Sequence, residues 1–436
     1  MYFALVFSFM RGPLFISILF LALLGAVVYC LGLYRLTDIA LYAGFDTLSY
    51  LDASNQLNTA HTFHPTRCVA YPILLLLAQR VFSNGPYFFY VLYMLQAVML
   101  WYVVLLQYRW LKAIISEQSA LVLTVLGLCN VSLFLYASFL LTEIPCLFFI
   151  ALSFENTRHF LLHNKQQSLF AAAFLFGVAI LFKPGLFPYL CIVGVLLLLR
   201  ALFNKFSYKL VMIFFFGALI PLSIQFLGMY QSYGSFKLSY ISDITYYRYW
   251  HTSVLSLHQK KDILPLMYTR DSLVYAISTS PYSAFTYNDF STAVAQERSF
   301  LLQHHPGLMG KSFLMNLFSN FHTGNTIPKA LPNNIAQTAH WPRLFFNITR
   351  VFNMVYIVVL LSIAFFAFRK RKAVIPSKPY AVLALILLTF SLFAFLISGV
   401  SFYQGDRFNV IWMPFLIPIM AMMFTQFSVK KHPASK

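Results

Sequence analysis

The stretch PLFISILFLALLGAVVYCLGLY at residues 13–34 decides the fold class, because it is long and apolar enough to cross a bilayer. The next stretch, RLTDIALYAGFDTLSYLDA at residues 35–53, holds Asp38, Asp46 and Asp52. The chain has only 12 acidic residues against 31 basic ones, so three acids in one short segment are a concentration. Carboxylates are costly near hydrocarbon, and a group of them at the end of a membrane span indicates a functional site.

The composition excludes a soluble enzyme. Hydrophobic residues make up 60% of the chain, charged residues 10%, and the mean hydropathy is +0.73. In soluble domains, about a quarter of the residues are charged. The pattern predicts an all-α polytopic membrane protein with about ten transmembrane helices and a mainly helical domain on the outer face. The predicted spans are 13–34, 87–108, 119–138, 141–155, 168–182, 185–203, 209–230, 350–368, 380–399 and 409–427.

The arrangement of charge predicts both topology and organisation. Most Lys and Arg residues of the short connecting segments fall on the side of the N-terminus, which the positive-inside rule places in the cytoplasm. The net charge of +19 is therefore a signal of topology and does not indicate nucleic acid as a partner. The first apolar run is expected to be a retained signal anchor. Three parts follow: an N-terminal membrane module at 1–230 with a first outer loop at 35–86, an extracytoplasmic domain at 231–349, and C-terminal spans with a basic tail at 350–436.

Asp46 is the first candidate catalytic residue, as a general base that deprotonates an acceptor hydroxyl or amine. The alternative is a helix cap or a solvated loop charge. If the stretch is helical, Tyr50 shares a face with Asp46 while Asp52 points elsewhere. Arg67 in the same loop can hold a phosphate through forked hydrogen bonds. Tyr71 opens a short helix, 71–83, that is predicted to lie along the membrane surface and completes the predicted substrate-binding set.

Three further charged residues lie at predicted outer ends of spans. A carboxylate at the depth of Glu143 indicates a catalytic role, although Thr142 and Pro145 also fit a helix start. Lys183 and Arg407 are among the few cations of short outer loops, and together they favour an anionic ligand. Lys183 could instead snorkel at a helical hairpin. Arg407 could instead pair with its neighbour Asp406.

The sequence offers no firm sign of a cofactor. His61 and His64 are three residues apart, but Pro65 disfavours a helix there, so a divalent metal is possible without being supported. Of the five cysteines, only Cys68 falls outside the predicted membrane segments, and no disulfide framework is expected. Nucleotide-binding glycine motifs and hydrolase motifs are also missing from the sequence.

Taken in order, these motifs resemble those of the GT-C-type membrane glycosyltransferases, nearest to the bacterial relatives of protein O-mannosyltransferases and aminoarabinose transferases. The acidic first loop, the YP-containing helix, Thr142-Glu143, Lys183-Pro184-Gly185 and Asp406-Arg407-Phe408 carry the resemblance. The family often has two adjacent acids in the first loop, whereas Asp46 is followed by Thr47, which leaves Asp52 as a second candidate base. The family also often has Arg where Lys183 stands.

The resemblance implies an inverting transfer of a sugar from a polyprenyl-phosphate donor to a protein, lipid or glycan acceptor on the extracytoplasmic face. It implies Asp46 as the base, with Lys183 and Arg407 holding the donor phosphate. The expected location is the bacterial inner membrane, with membrane lipids as neighbours. Two alternatives stay open: another envelope-glycan enzyme of the O-antigen polymerase or ligase type, and a transporter of lipid-linked glycans.

Overall fold

The protein is helical throughout the part of the chain that its structure, a computed structural model, describes. The described residues are 12–32, 46–82, 87–203, 207–279, 284–327, 340–369 and 379–428. Of these residues, 86% are helical and none lies in a strand. The predicted all-α class is confirmed.

The helices of the N-terminal part form most of the apolar core. The chain enters them at Gly12 and leaves the last of them at Tyr233, with a 3-10 turn at Pro184–Leu186. They are α1 Gly12–Cys30, α2 Thr47–Thr59, α3 Ala70–Phe82, α4 Tyr87–Lys112, α5 Glu117–Leu128, α6 Val131–Ala137, α7 Glu143–His163, α8 Gln166–Phe182, α9 Phe187–Leu202 and α10 Tyr208–Tyr233.

The described residues that follow are also helical and include those of the polar segment 231–349. A π-helical turn at Tyr246–His251 and a 3-10 turn at Ser398–Val400 interrupt this part of the chain. Two of its helices are separated at His305, immediately before Pro306. The helices are α11 Ile241–Thr245, α12 Thr252–Gln259, α13 Ile263–Thr279, α14 Ala284–His304, α15 Pro306–Phe321, α16 His340–Arg369, α17 Pro379–Ile397, α18 Gly405–Asn409 and α19 Met413–Ser428.

Six helices of the described residues are long and apolar enough to cross a membrane, which makes this a helical membrane protein. Ten spans are not confirmed: the helices over 141–155, 168–182 and 409–427 are shorter or more polar than that measure requires. The six are Gly12–Cys30, Phe88–Lys112, Pro184–Leu202, Tyr208–Tyr233, His340–Arg369 and Pro379–Val400. The last but one begins before residue 349, so one continuous helix crosses the predicted domain boundary.

The predicted span 119–138 is not one continuous helix, because α5 and α6 meet at an angle of 62°. The break is at Asn130, whose side-chain oxygen accepts a hydrogen bond from the backbone N–H of Ser132 at 3.2 Å. Its amide nitrogen lies 3.3 Å from the sulfur of Met413. Asn130 therefore starts α6 as a cap in the middle of an apolar run, and the pair counts at most as a seventh, broken span.

Helices α7, α8 and α10 pack closely at the centre of the bundle. The first turns of α7 are fully buried, and α8 lies between α7 and α10. At Gly177 of α8, a Cβ would lie 2.6 Å from the Pro221 ring and 2.8 Å from the Ala218 carbonyl oxygen. Small residues let helix backbones approach where lipid supplies no hydrophobic drive between helices. This packing fixes the end of α8, and with it Lys183.

Gly177→Leu should destabilise the bundle, because a large side chain there forces α8 away from α10. Overpacking of this kind costs about 1–3 kcal/mol. The midpoint of thermal unfolding in detergent should fall. Gly25→Leu is the matched control, because nothing lies within 4 Å of a Cβ at Gly25 and its midpoint should stay the same or rise. Equal midpoints for the two variants would show that α8 and α10 are not in close contact.

Candidate functional site

Asp46 lies immediately before α2, where a side chain could cap the helix, but its carboxylate makes no such bond. Instead, Oδ1 accepts a hydrogen bond from Arg67 at 2.6 Å, and Oδ2 lies 2.5 Å from a guanidinium nitrogen of Arg407. Other groups secure the start of the helix, since the Thr47 hydroxyl donates to the Leu140 carbonyl. The carboxylate of Asp46 is thus held between two arginines and is not used for capping.

Glu143 is fully buried in the first turn of α7, and one of its oxygens binds two cations. Oε1 accepts hydrogen bonds from Nζ of Lys183, at 3.3 Å, and from Nε of Arg407. Oε2 is buried with no hydrogen bond from any described residue. A buried carboxylate requires paired charge. Glu143 therefore ties Lys183 to Arg407 across the site.

Lys183 is the first residue after α8 and is only 13% exposed. Besides Glu143, its Nζ donates to the Arg407 carbonyl at 3.0 Å and lies 5.2 Å from the centre of the Phe408 ring. The latter distance is that of a cation–π contact. The Lys183 side chain therefore points into the cluster and does not snorkel away from the bundle.

Arg407 can reach the cluster because α18 is pressed against the end of α15. A Cβ at Gly405 would lie 2.1 Å from the Asn320 carbonyl oxygen, so the chain can come this close only with glycine at that position. The Asn320 side chain also accepts a hydrogen bond from the backbone N–H of Gln404 at 2.9 Å. Arg407 is thus delivered to the site by a short helix that another helix holds in place.

Asp406 and Arg407 are neighbours in the sequence but bind different partners. Asp406 is 2% exposed, and its Oδ1 accepts hydrogen bonds from the Ser132 hydroxyl at 2.8 Å and from the Asn353 amide at 3.0 Å. Arg407 faces Asp46 and Glu143 instead. The alternative that Asp406 and Arg407 simply neutralise each other is therefore wrong.

The tyrosines predicted to bind substrate lie behind the cluster. Tyr50 and Tyr71 are 5% and 1% exposed, and their rings meet edge to face at 5.0 Å. The Arg67 guanidinium stacks 4.6 Å above the Tyr50 ring, while its Nε donates to the Ser49 hydroxyl. The Tyr50 hydroxyl lies 3.3 Å from that of Thr142. Both rings therefore support Arg67 and the start of α7 from the protein interior.

The structure does not bring Asp52 into the cluster. Its side chain is 52% exposed, and its Oδ2 lies 3.4 Å from Nε2 of His64. Burial lowers the pKa of His64, although the hydrogen bond to Asp52 acts in the opposite direction. Within the described parts of the chain, no group of three or more His, Cys, Asp and Glu residues is placed to hold a metal ion.

A cavity of about 260 Å³ opens beside Asp46 and Arg407. All three predicted parts of the chain contribute to its walls, with Arg248 and Tyr249 coming from the π-helical turn of the polar segment. Tyr403 adds an exposed ring on a left-handed backbone with φ of 57°, a strained conformation of the kind found at ligand sites. The remaining lining residues are Tyr136, Leu141, Thr323, Gly324, Thr326, Ile327, Gln404 and Asp406.

Sequence reasoning missed the wall that the polar segment supplies. Arg248 and Tyr249 lie in YYRYWH at 246–251, where three tyrosines surround one arginine. The only available signal is the density of aromatic residues around one arginine. π-helical turns occur often at functional sites, but they become visible only in the structure.

The charges of the cluster oppose the effect of burial. Burial by itself would raise the pKa of Asp46, but the charges of Arg407 and Arg67 outweigh it and hold that pKa well below its usual range. Asp406 behaves differently, because burial raises its pKa to about 6 and the hydrogen bonds from Ser132 and Asn353 offset only part of the effect. Asp46 is thus ionised at neutral pH and tightly held, whereas Asp406 titrates near neutrality.

The cluster contains two carboxylates and three cations, which leaves one positive charge in excess. A dianionic or monoanionic group that enters the cavity can take over hydrogen bonds from Arg407, which lines it, as phosphate oxygens commonly do. A carboxylate that loses one of its two arginines becomes more basic. The arrangement can therefore bind an anion and, in doing so, free Asp46 to accept a proton.

Comparison with known proteins adds no family to this description. No protein-family model matches the chain, and no curated protein matches it significantly. The geometry of the cluster and its cavity is therefore the basis on which a function is proposed.

Glu143→Gln should destabilise the protein strongly, because it leaves Lys183 buried without its carboxylate. Removing one partner of a buried ion pair costs about 3–5 kcal/mol. The midpoint of thermal unfolding in detergent should fall, and adding Lys183→Met to the variant should restore part of the loss. Glu117→Gln is the matched control, since Glu117 pairs with Lys112 at the exposed surface. A Glu143→Gln midpoint equal to that of the control would rule out the buried pairing.

Asp406 should make stability depend on pH between about 7 and 5. Its folded pKa of about 6 lies above the unfolded value of about 3.9, so folding favours the protonated form. Stability contributed by Asp406 therefore rises as the pH falls through 6, by about 1.4 kcal/mol for each unit below it. Compared with Asp406→Asn, the wild-type protein should gain thermal stability between pH 7.5 and pH 5. Parallel profiles of the two proteins would contradict the assignment.

Proposed function

We propose that the protein is a glycosyltransferase that moves a sugar from a polyprenyl-phosphate donor to an acceptor, with inversion, in the cavity beside Asp46. The observation that carries this proposal is the cluster in which Arg407 binds both Asp46, which lines the cavity, and Glu143, which binds Lys183. These residues come from segments far apart in the sequence, and the motif order that resembles GT-C transferases names the same residues. A ten-span GT-C-like architecture is part of the proposal.

The reaction requires a base and an anion site on opposite sides of one sugar carbon. The acceptor hydroxyl or amine attacks the anomeric carbon while its proton passes to Asp46. The bond from that carbon to the phosphate oxygen breaks, and the lipid phosphate leaves with the electron pair. Lys183 and Arg407 stabilise the negative charge that develops on it. Attack from the side opposite the leaving group inverts the anomeric centre.

Arg407 has a double role in this scheme. It binds both Asp46 and Glu143, so Asp46 by itself is a weak base. A donor phosphate that takes one nitrogen of Arg407 leaves Asp46 with Arg67, which still orients the carboxylate through a hydrogen bond of 2.6 Å. Binding of the donor thereby raises the basicity of Asp46. Glu143 acts as a positioning residue, because it keeps Lys183 and Arg407 side by side.

The proposed location is the bacterial inner membrane, with the cavity on the extracytoplasmic side. The six membrane-length helices support an integral membrane protein. The distribution of Lys and Arg residues supports a cytoplasmic N-terminus. The cluster residues lie at the helix ends that this topology places outside. An acceptor protein, lipid or glycan would approach from that side, where Arg248, Tyr249 and Tyr403 line the cavity.

Polyprenyl phosphate should stabilise the detergent-purified protein, because it binds the folded state alone. At about 100 times its dissociation constant a ligand adds about 2.7 kcal/mol, visible as a higher midpoint of thermal unfolding. Lys183→Met should lose this ligand-induced shift. Lys112→Met, at an exposed ion pair, is the control and should keep it. Asp46→Asn should keep or increase the shift, because Arg407 is freed for the phosphate, yet it should transfer no sugar from any polyprenyl-phosphate donor.

The proposal fails if wild-type protein shows no shift, or if Lys183→Met responds like Lys112→Met. Catalysis by Asp46→Asn at the wild-type rate would reject Asp46 as the base. It would leave the anion site in place.

A further inference from the structure

In helix α15, Pro306–Phe321, polar residues are buried and large apolar residues are exposed, which is the reverse of a helix on a soluble protein. Its fully buried positions include Ser312, Asn316 and Asn320, which are 0%, 3% and 1% exposed. Leu314 and Phe318 are 64% and 68% exposed. In a soluble protein the apolar face of a helix is buried and the polar face is hydrated. The apolar residues of this helix are thus divided between its faces, and several of them point away from the protein.

The buried polar face has a defined task. The Asn316 amide donates to the Gly399 carbonyl at 3.2 Å, and the Asn320 amide donates to the carbonyls of Ser398 and Ser401, both at 2.7 Å. These carbonyls belong to the end of the membrane-length helix Pro379–Val400, where a helix leaves its last carbonyls without partners. Helix α15 therefore supplies hydrogen-bond donors to backbone carbonyls at the end of a membrane-length helix.

The position of α15 follows from this contact. A Cβ at Gly399 would lie 2.6 Å from the Phe313 ring, so the helix touches the end of the span from Phe313 to Asn320. The end of a membrane-length helix lies at the boundary of the hydrocarbon region. Leu396, one turn before that end, is 48% exposed and continues the apolar surface of the span. The exposed apolar face of α15 is therefore next to lipid.

We propose that α15 lies in the plane of the membrane, in the leaflet on the side of the cavity, with Leu314, Met315 and Phe318 among the acyl chains. Met315 is 51% exposed on the same face. Lys311, one turn earlier, is exposed too and can extend its charge to the lipid head groups. A helix with apolar residues on its outer face and a cation at its edge is typical of in-plane membrane helices.

This placement has a consequence for the cavity. Asn320 closes the span and also binds Gln404, which lines the cavity, while its carbonyl packs against Gly405. The segment that carries Arg407 is therefore attached to a helix in the membrane surface. The cavity lies at the level of the lipid head groups, where a phosphate carried by a lipid is found. The inference rests on burial and hydrogen bonds alone and does not require the proposed function.

Nitroxide labels can measure the surroundings of α15 in the full-length protein. Leu314→Cys, Met315→Cys and Phe318→Cys would each be labelled after replacement of the accessible Cys30, Cys129 and Cys191 by alanine. The protein is reconstituted at one copy per nanodisc of phosphatidylcholine and phosphatidylglycerol. Collision rates with oxygen, which is concentrated in lipid, and with a water-soluble nickel chelate are then measured by electron paramagnetic resonance.

Labels on α15 should behave like a label at Leu219, an exposed position within the span Tyr208–Tyr233. They should collide readily with oxygen and at least fivefold less with the nickel chelate than a label at the exposed Gln259. Nickel accessibility equal to that at Gln259 would overturn the proposal in favour of a face in water. Low accessibility to both reagents would also overturn it, because it would show protein covering the face. Three independent positions guard against a single label that perturbs the helix.

Discussion

The arrangement of the site depends on the guanidinium of Arg407, the group among the described residues that binds both Asp46 and Glu143. Asp46 precedes α2, Glu143 is the first residue of α7, and Arg407 lies on α18. Because one side chain binds both acids, the start of α2, the start of α7 and α18 are fixed relative to one another. Gly405 makes this possible, since only glycine allows α18 to approach the end of α15.

A buried cluster of five charges does not serve stability best. Removing an ion from water costs several kcal/mol, and apolar residues of the same volume often stabilise a protein more. The cluster is therefore better explained by what it binds. Its excess of one positive charge matches an anionic group in the cavity. In the proposed mechanism, Arg407 holds the carboxylate of Asp46 until a donor phosphate takes its place.

The sequence predicts most of this cluster because charge is scarce in the chain. Asp46, Glu143, Lys183 and Arg407 stand out as the few charges at one end of long apolar runs, and the structure brings these four together. The helical class follows equally from composition. The sequence is a poorer guide to which acid of the first loop belongs to the cluster, because Asp52 lies in the same acidic stretch as Asp46 and yet pairs with His64. Helical spacing had already separated it from Asp46.

Other features could not be predicted, for physical reasons that differ. Asn130 breaks an apolar run, but whether an asparagine caps a new helix or faces a neighbour depends on tertiary contacts such as that with Met413. In the polar segment 231–349, charged residues are not scarce, so their presence does not point to a functional site. Charged residues and tyrosines are spread along it, so no motif marks Arg248 and Tyr249 as parts of the cavity wall.

Helix α15 shows that apolar periodicity predicts a helix but does not predict how the helix is oriented. Its apolar period predicts a helix, and the helix is there, but the period does not state which face meets the protein. In water the answer is the apolar face. Next to lipid the balance reverses, because acyl chains accept Leu314 and Phe318 while carbonyls at the end of a span accept hydrogen bonds from the amides of Asn316 and Asn320. The same pattern of polar and apolar residues thus predicts that the apolar face packs against the protein in water, and that the polar face does so next to lipid. The hydrogen bonds to residues 398–401 show that the polar face packs against the protein here.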